Sequence, residues 1–284
     1  MEEKEIIGSS EKYVSKEEIG DVVNSFSKLY GIDLEKEKCD FEIEIVKQEE
    51  WNEKLAEKEI SSAFGLDEKV PKEVIDSYAS KRKAPLGEWI SAEGKGYLVE
   101  NSSEGWSKEC RDHMLNHELI HAIASIKGSG FTKKNLMGVL FSEDFVDMKG
   151  RRQLNEGATE ILAIGLSLGS SNLEDIEKVL QKRLSNVRES KEEKKDIGDM
   201  YVYMIETFSL LLLLKETNIS PKELAQYYVK GDFDSFANRI SNTIKEKYPE
   251  ESRYEEGKFE KYMLFKDCIN RLGMGLVFDG IDKF

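Results

Sequence analysis

His117-Glu118-Leu119-Ile120-His121 sets two imidazoles four residues apart with a carboxylate beside the first. On a helix, four residues make a little over one turn. Both rings then project from one face and can grip a single ion at about 2.0 to 2.1 Å. Glu118 stands where it can take a proton from a water that the ion acidifies. Leu115, Leu119, Ile120, Ala122, Ile123 and Ile126 surround the pair with apolar side chains, so the spacing predicts a core helix over residues 108–126. The chain has only 3 histidines, which makes an HExxH frame arising by chance rare.

A catalytic zinc ordinarily has three protein ligands and one open position. His113 stands eight residues before His121, about 12 Å along a helix axis, too far for one ion to take all three rings. It is expected as a polar residue at the helix mouth. A third histidine six residues after the second is ruled out by Ala124 and Lys127, which occupy the positions where glycine and histidine would be needed. The third ligand is therefore expected farther along, in Asn155-Glu156-Gly157-Ala158-Thr159-Glu160 at the start of the next strong helix. Glu156 and Glu160 share one helical face, so one carboxylate can ligate metal while the other hydrogen-bonds a ligand histidine. Gly157 costs a helix about 1 kcal/mol relative to alanine, which makes sense if two helices approach closely there.

HExxH followed downstream by Asn-Glu-x-x-x-Glu resembles the gluzincin metallopeptidases, the thermolysin-like group. Leu154-Asn155-Glu156-Gly157-Ala158-Thr159-Glu160 is also similar to the LNEGxTE signature of a set of bacterial gluzincin-like proteins. The resemblance covers residues 111–168, with a fainter likeness at Tyr227-Tyr228-Val229-Lys230-Gly231-Asp232. It implies one Zn2+ per chain held by His117, His121 and Glu156, Glu118 as general base, Glu160 orienting His117, and Asn155 supporting His121. It also implies a zincin-like fold. Thermolysin-like enzymes stabilise the oxyanion with a further histidine, and no histidine follows His121 in this chain. A tyrosine phenol can serve instead. Tyr203 is the first candidate and Tyr201 the next, both at the opening of an apolar helix that also carries Glu206. A carboxylate among those leucines would need a partner. Cys110 reads as a small buried hydrophobe, and Arg151 and Arg152 as possible contacts for a substrate carboxylate.

The elements that must position these groups change character along the chain. Residues 1–14 are polar and unpatterned, a loose arm. Ser15 with Glu18 forms a capping box before a helix, and residues 40–46 alternate apolar and acidic in the manner of a half-buried strand. Helical pieces are expected at 49–59 and 71–80, and strands at 87–91 and 96–100 around a turn at 93–95. Beyond residue 106 helices dominate, at 154–168, 173–189, 199–216, from the Ser220-Pro221-Lys222-Glu223 start, at 234–247 and at 254–272. The fold class is therefore α+β. A small sheet-bearing N-terminal lobe (15–150) carries the active-site helix, and a mostly α-helical C-terminal lobe (151–284) carries the third-ligand helix.

With 42 basic against 56 acidic residues the net charge is -14, which argues against a nucleic-acid partner. The 3 scattered cysteines suit free thiols in a reducing compartment. The acidic start lacks a signal sequence, and the apolar stretch 200–214 is shorter than the roughly 20 residues needed to span a bilayer. The expectation is a cytoplasmic protein without a membrane span, its delivery elsewhere and its oligomeric state left open. The expected activity is zinc-dependent hydrolysis of a peptide or protein substrate, which would add as a strand along residues 96–100. The alternatives are a catalytically silent zinc scaffold that binds a partner protein, against which an intact Glu118 argues, and a zinc hydrolase of a non-peptide amide.

Overall fold

The computed structural model describes residues 13–34, 39–47, 50–54, 71–79, 87–90, 95–100, 108–127, 130–131, 144–192, 203–248 and 258–272. Its named elements are α1 (Lys16–Tyr30), β1 (Glu42–Lys47), α2 (Lys72–Ala79), β2 (Gly87–Ile90), β3 (Lys95–Glu100), α3 (Lys108–Lys127), α4 (Asp144–Leu168), α5 (Leu173–Glu192), α6 (Met204–Thr217), α7 (Pro221–Lys230), α8 (Phe233–Lys247) and α9 (Lys258–Arg271). Residues 50–54 add a further helical piece. The class is α+β with helix predominating, and no described helix is long and apolar enough to cross a membrane.

β3 is the middle strand of a three-stranded sheet, parallel to β1 and antiparallel to β2. Because side chains alternate along a strand, the two faces serve two cores. Ile43 and Leu98 enter the main core, whereas Val46, Tyr97 and Val99 meet Trp51 in a smaller cluster, where the Trp51 and Tyr97 rings stack at 4.6 Å. The main core draws on α1, α3 to α9 and the sheet. At its centre is α3, whose Leu119, Ile120, Ala122, Ile123 and Ala124 are fully buried. Such all-round burial means that neighbours on every side hold this helix, and with it any group it carries. Those neighbours are α1, α4, α7 and the β2 and β3 strands. Arg111 and Glu18 form an ion pair that joins α3 to α1.

Both expected helix starts are present, but only the second closes the expected box, since the Glu18 carboxylate pairs with Arg111. Ser15 accepts the Glu18 N–H at 3.2 Å, and Ser220 with Glu223 closes a reciprocal capping box. Gly157 lies where α4 crosses α6, and a Cβ there would stand 3.2 Å from the Glu206 carbonyl oxygen.

Three expectations need correction. The helix expected at 154–168 begins earlier, at Asp144. Gly150 costs a helix only about 1 kcal/mol, too little to end it. The arm is not loose to its end: the Val14 N–H donates to the Ile43 carbonyl at 3.0 Å, and Tyr13 bridges to Glu44. Finally, β3, expected to offer a free edge to substrate, is paired on both sides. Residues 1–12, Gly128, Glu93, Gly94 and 199–202, Tyr201 among them, lie outside the described residues.

Candidate metal centre

Helix α3 presents His113, His117 and His121 at successive turns, and α4 presents Asn155, Glu156, Thr159 and Glu160 opposite them. Three ligand atoms converge. His121 Nε2 lies 3.2 Å from His117 Nε2 and 3.2 Å from Glu156 Oε2, and His117 Nε2 lies 3.4 Å from the same oxygen. Donors bound tetrahedrally at about 2.0 to 2.1 Å are about 3.3 Å apart, so the triangle has the size that one tetrahedrally held ion requires. Among the described residues, His117, His121 and Glu156 are the group of histidine, cysteine and carboxylate side chains placed to hold a metal ion.

The opposite nitrogen of each imidazole is also engaged. His117 Nδ1 meets Glu160 Oε2 at 3.0 Å. A carboxylate only accepts, so Nδ1 carries the proton and Nε2 is the atom left to face the cluster. Glu160 is itself clamped, by Arg183 of α5 and by His113 Nε2 at 3.0 and 3.2 Å from its two oxygens. Burial alone would raise the Glu160 pKa, but His113 and His117 outweigh it and hold the carboxyl well below its usual range. Around His121 Nδ1 stand the Tyr228 hydroxyl at 3.2 Å, the Asn155 amide at 3.3 Å and Thr159 Oγ1 at 3.4 Å.

Without metal, a proton stands in for the ion. Burial pushes the His117 pKa down, yet its hydrogen bonds to Glu156 and Glu160 and the charges of Glu118 and Glu160 prevail and carry it up to about 10. Glu156 moves the other way. Burial raises it, but His121 and His117 dominate and depress its pKa. The cluster is thus an imidazolium between two carboxylates, and a divalent cation can take the proton's place.

Glu118 follows His117 on α3 and is 3% exposed, next to the cluster but on none of its three distances. Tyr203 is the N-cap of α6, and its ring lies parallel to the His117 imidazole with centroids 6.2 Å apart. Glu206, one turn on, accepts a hydrogen bond from Gln153 Nε2 at 3.2 Å, which gives this carboxylate its partner. His113 is buried rather than at a helix mouth, and it binds Glu160 instead of joining the cluster. Burial pushes the Cys110 thiol up.

No family model matches the chain, and neither does any curated protein or solved structure. The site is therefore read from its own residues. Sequence reasoning passed over three of them. Arg183 sits beside the exposed Lys182 in an ordinary amphipathic helix, and nothing in its spacing marks it. Thr159 and Tyr228 belong to the 154–160 and 227–232 segments, but only the packing of α4 on α3 brings the first to His121, and that of α7 on α3 the second.

Gly130 locks this corner. Its φ is 61°, and a Cβ there would collide with Asn155 Oδ1 and stand 2.7 Å from the Tyr228 ring. The next residue, Phe131, donates its N–H to that same Asn155 oxygen at 3.1 Å. Gly130→Ala is expected to lose about 2 to 4 kcal/mol of stability, from left-handed strain and overpacking together. A urea midpoint equal to wild type would contradict this packing.

Proposed function

We propose that this chain is a zinc-dependent hydrolase of peptide bonds, with His117, His121 and Glu156 as metal ligands and Glu118 as general base. The observation that carries the reading is the convergence of two imidazole nitrogens and one carboxylate oxygen at 3.2 to 3.4 Å, with a buried glutamate next to one of them. Mixed nitrogen and oxygen donors suit zinc, whereas magnesium and calcium take oxygen sets. Zinc, when bound, polarises a carbonyl and acidifies water. With zinc held there, Glu118 would be the residue to accept a proton from the attacking water and return it to the leaving amine. Glu160, held by Arg183 and His113, keeps the His117 ring fixed in aim. The HExxH helix packed on a small sheet, with its third ligand on the following helix, supports a zincin-like fold and the resemblance to gluzincins.

An extended peptide would add to the outer edge of β2 rather than to β3. β2 packs against α3, and among the described residues no other strand pairs with that edge.

Tyr203 is assigned to the developing oxyanion, because its ring stands beside His117. Tyr203→Phe is expected to lower kcat by about 10² to 10³ with little change in KM, since the lost hydrogen bond forms mainly in the transition state. Undiminished kcat would remove this assignment.

The test of the function itself is mass spectrometry of a proteome-derived peptide library incubated with zinc-loaded protein. Cleavage at defined bonds, abolished by chelation and restored by zinc, is expected. An uncut library would favour a silent scaffold.

A further inference from the structure

Around His121 Nδ1 the nearest oxygen is the Tyr228 hydroxyl at 3.2 Å, ahead of Thr159 Oγ1 at 3.4 Å, and the groups behind that hydroxyl set its direction. Thr159 Oγ1 lies 2.9 Å from the Asn155 carbonyl oxygen, which can only accept, so the threonine proton points there. The 2.7 Å contact between Thr159 Oγ1 and the Tyr228 hydroxyl must then be donated by the tyrosine. Asn155 is oriented in the same way. Its Oδ1 takes the Phe131 N–H, which turns its Nδ2 toward His121 Nδ1 and the Tyr228 phenol. With its own proton committed to Thr159, the phenol oxygen offers two lone pairs, one to the Asn155 amide and one to His121 Nδ1 at 3.2 Å.

We infer that Tyr228, backed by Thr159, is a positioning residue of the metal centre: its phenol accepts the Nδ1 proton of His121 and thereby leaves that ring's Nε2 lone pair to the ion. This rests on the reading of His117, His121 and Glu156 as ligands. The two ligand histidines are thus held in different ways. A charged carboxylate receives the proton of His117, and a neutral hydroxyl relay receives that of His121. Asn155 supports His121 through the phenol, because its amide N–H and the imidazole N–H are both donors and share that oxygen. The relay also makes α7 part of the centre. Tyr228 is fully buried, and its ring packs edge-on to Phe131 at 5.3 Å, so the hydroxyl has a fixed place.

The test combines a wild-type measurement with two variants. In zinc-loaded wild-type protein, NMR of the imidazoles should find the His121 N–H proton on Nδ1, protected from exchange and with a nuclear Overhauser contact to the Tyr228 ring. A proton on Nε2 would overturn the inference without any substitution. By chelator competition, Tyr228→Phe should weaken zinc binding by about 10- to 100-fold. Thr159→Val, which keeps the phenol but removes its acceptor, should weaken it less and in the same direction. Unchanged zinc affinity in Tyr228→Phe, with tight binding by wild type, would overturn the role of Tyr228 alone. Wild-type protein that takes up no zinc would overturn the metal centre, and this inference with it.

Discussion

His121→Ala is expected to lose tight zinc binding, by on the order of 10³-fold, because one of the three proposed protein ligands disappears. His117→Ala and Glu156→Ala should do the same. Glu160→Ala should cost only about 10- to 100-fold, since it removes the group that aims His117 and not a ligand. Elemental analysis after chelation and reloading separates the two classes. Full zinc content in Glu156→Ala would send the search for a third ligand elsewhere.

Proton competition gives this prediction a pH dependence of known sign. In the metal-free protein, His117 keeps its proton up to about pH 10, so zinc must displace it. Affinity should rise by about tenfold per pH unit from neutrality toward that value. Stability of the metal-free protein runs the opposite way. A raised histidine pKa contributes stability that is complete below the ordinary 6.5 and is lost as pH climbs through about 10. The depressed pKa values of Glu156 and Glu160 contribute stability present above the ordinary 4.5 and lost as pH falls below it. Thermal unfolding without metal should therefore peak between those limits, and the increment from zinc should grow as pH rises above 6.5. An increment that shrank with rising pH would contradict the exchange of proton for metal.

Glu118→Gln is expected to keep zinc and lose about 10² to 10⁴ in kcat, the usual contribution of a positioned acid-base group. Glutamine preserves shape in a position that is 3% exposed, so folding should survive while the proton acceptor is gone. Retention of both zinc and hydrolysis would transfer the role of base to another group. Loss of zinc along with activity would show that Glu118 contributes to holding the metal.

Much of this arrangement could be read from local sequence signals. The α3 helix was marked by its apolar surround, and the starts of α1 and α7 by Ser15 and Ser220 with a glutamate three residues on. Helical spacing puts His117 with His121 on one face and Glu156 with Glu160 on another, while the separate roles of the two glutamates are implied by the resemblance to gluzincins and not by spacing. What escaped was tertiary. Strand order is not written in an alternating pattern, so residues 96–100 read as an edge although β1 joins β3 in parallel on its far side. The early start of α4 was hidden because Gly150 and the charged residues around it resemble a loop when packing is unseen. Arg183 and Tyr228 lie on helices whose own periodicity says which face is buried but not what they will meet. His113 lies outside the His117, His121 and Glu156 cluster, in keeping with its axial distance from His121. Its burial against Glu160 depended on a carboxylate 47 residues away.

The most direct test of the centre is a crystal structure of the zinc-soaked protein with data collected at the zinc absorption edge. One anomalous peak is expected per chain, at about 2.0 to 2.1 Å from His117 Nε2, His121 Nε2 and a Glu156 oxygen, with one position open toward Glu118. No peak at the cluster, or a zinc held there by a fourth protein ligand that closes the site, would contradict the account.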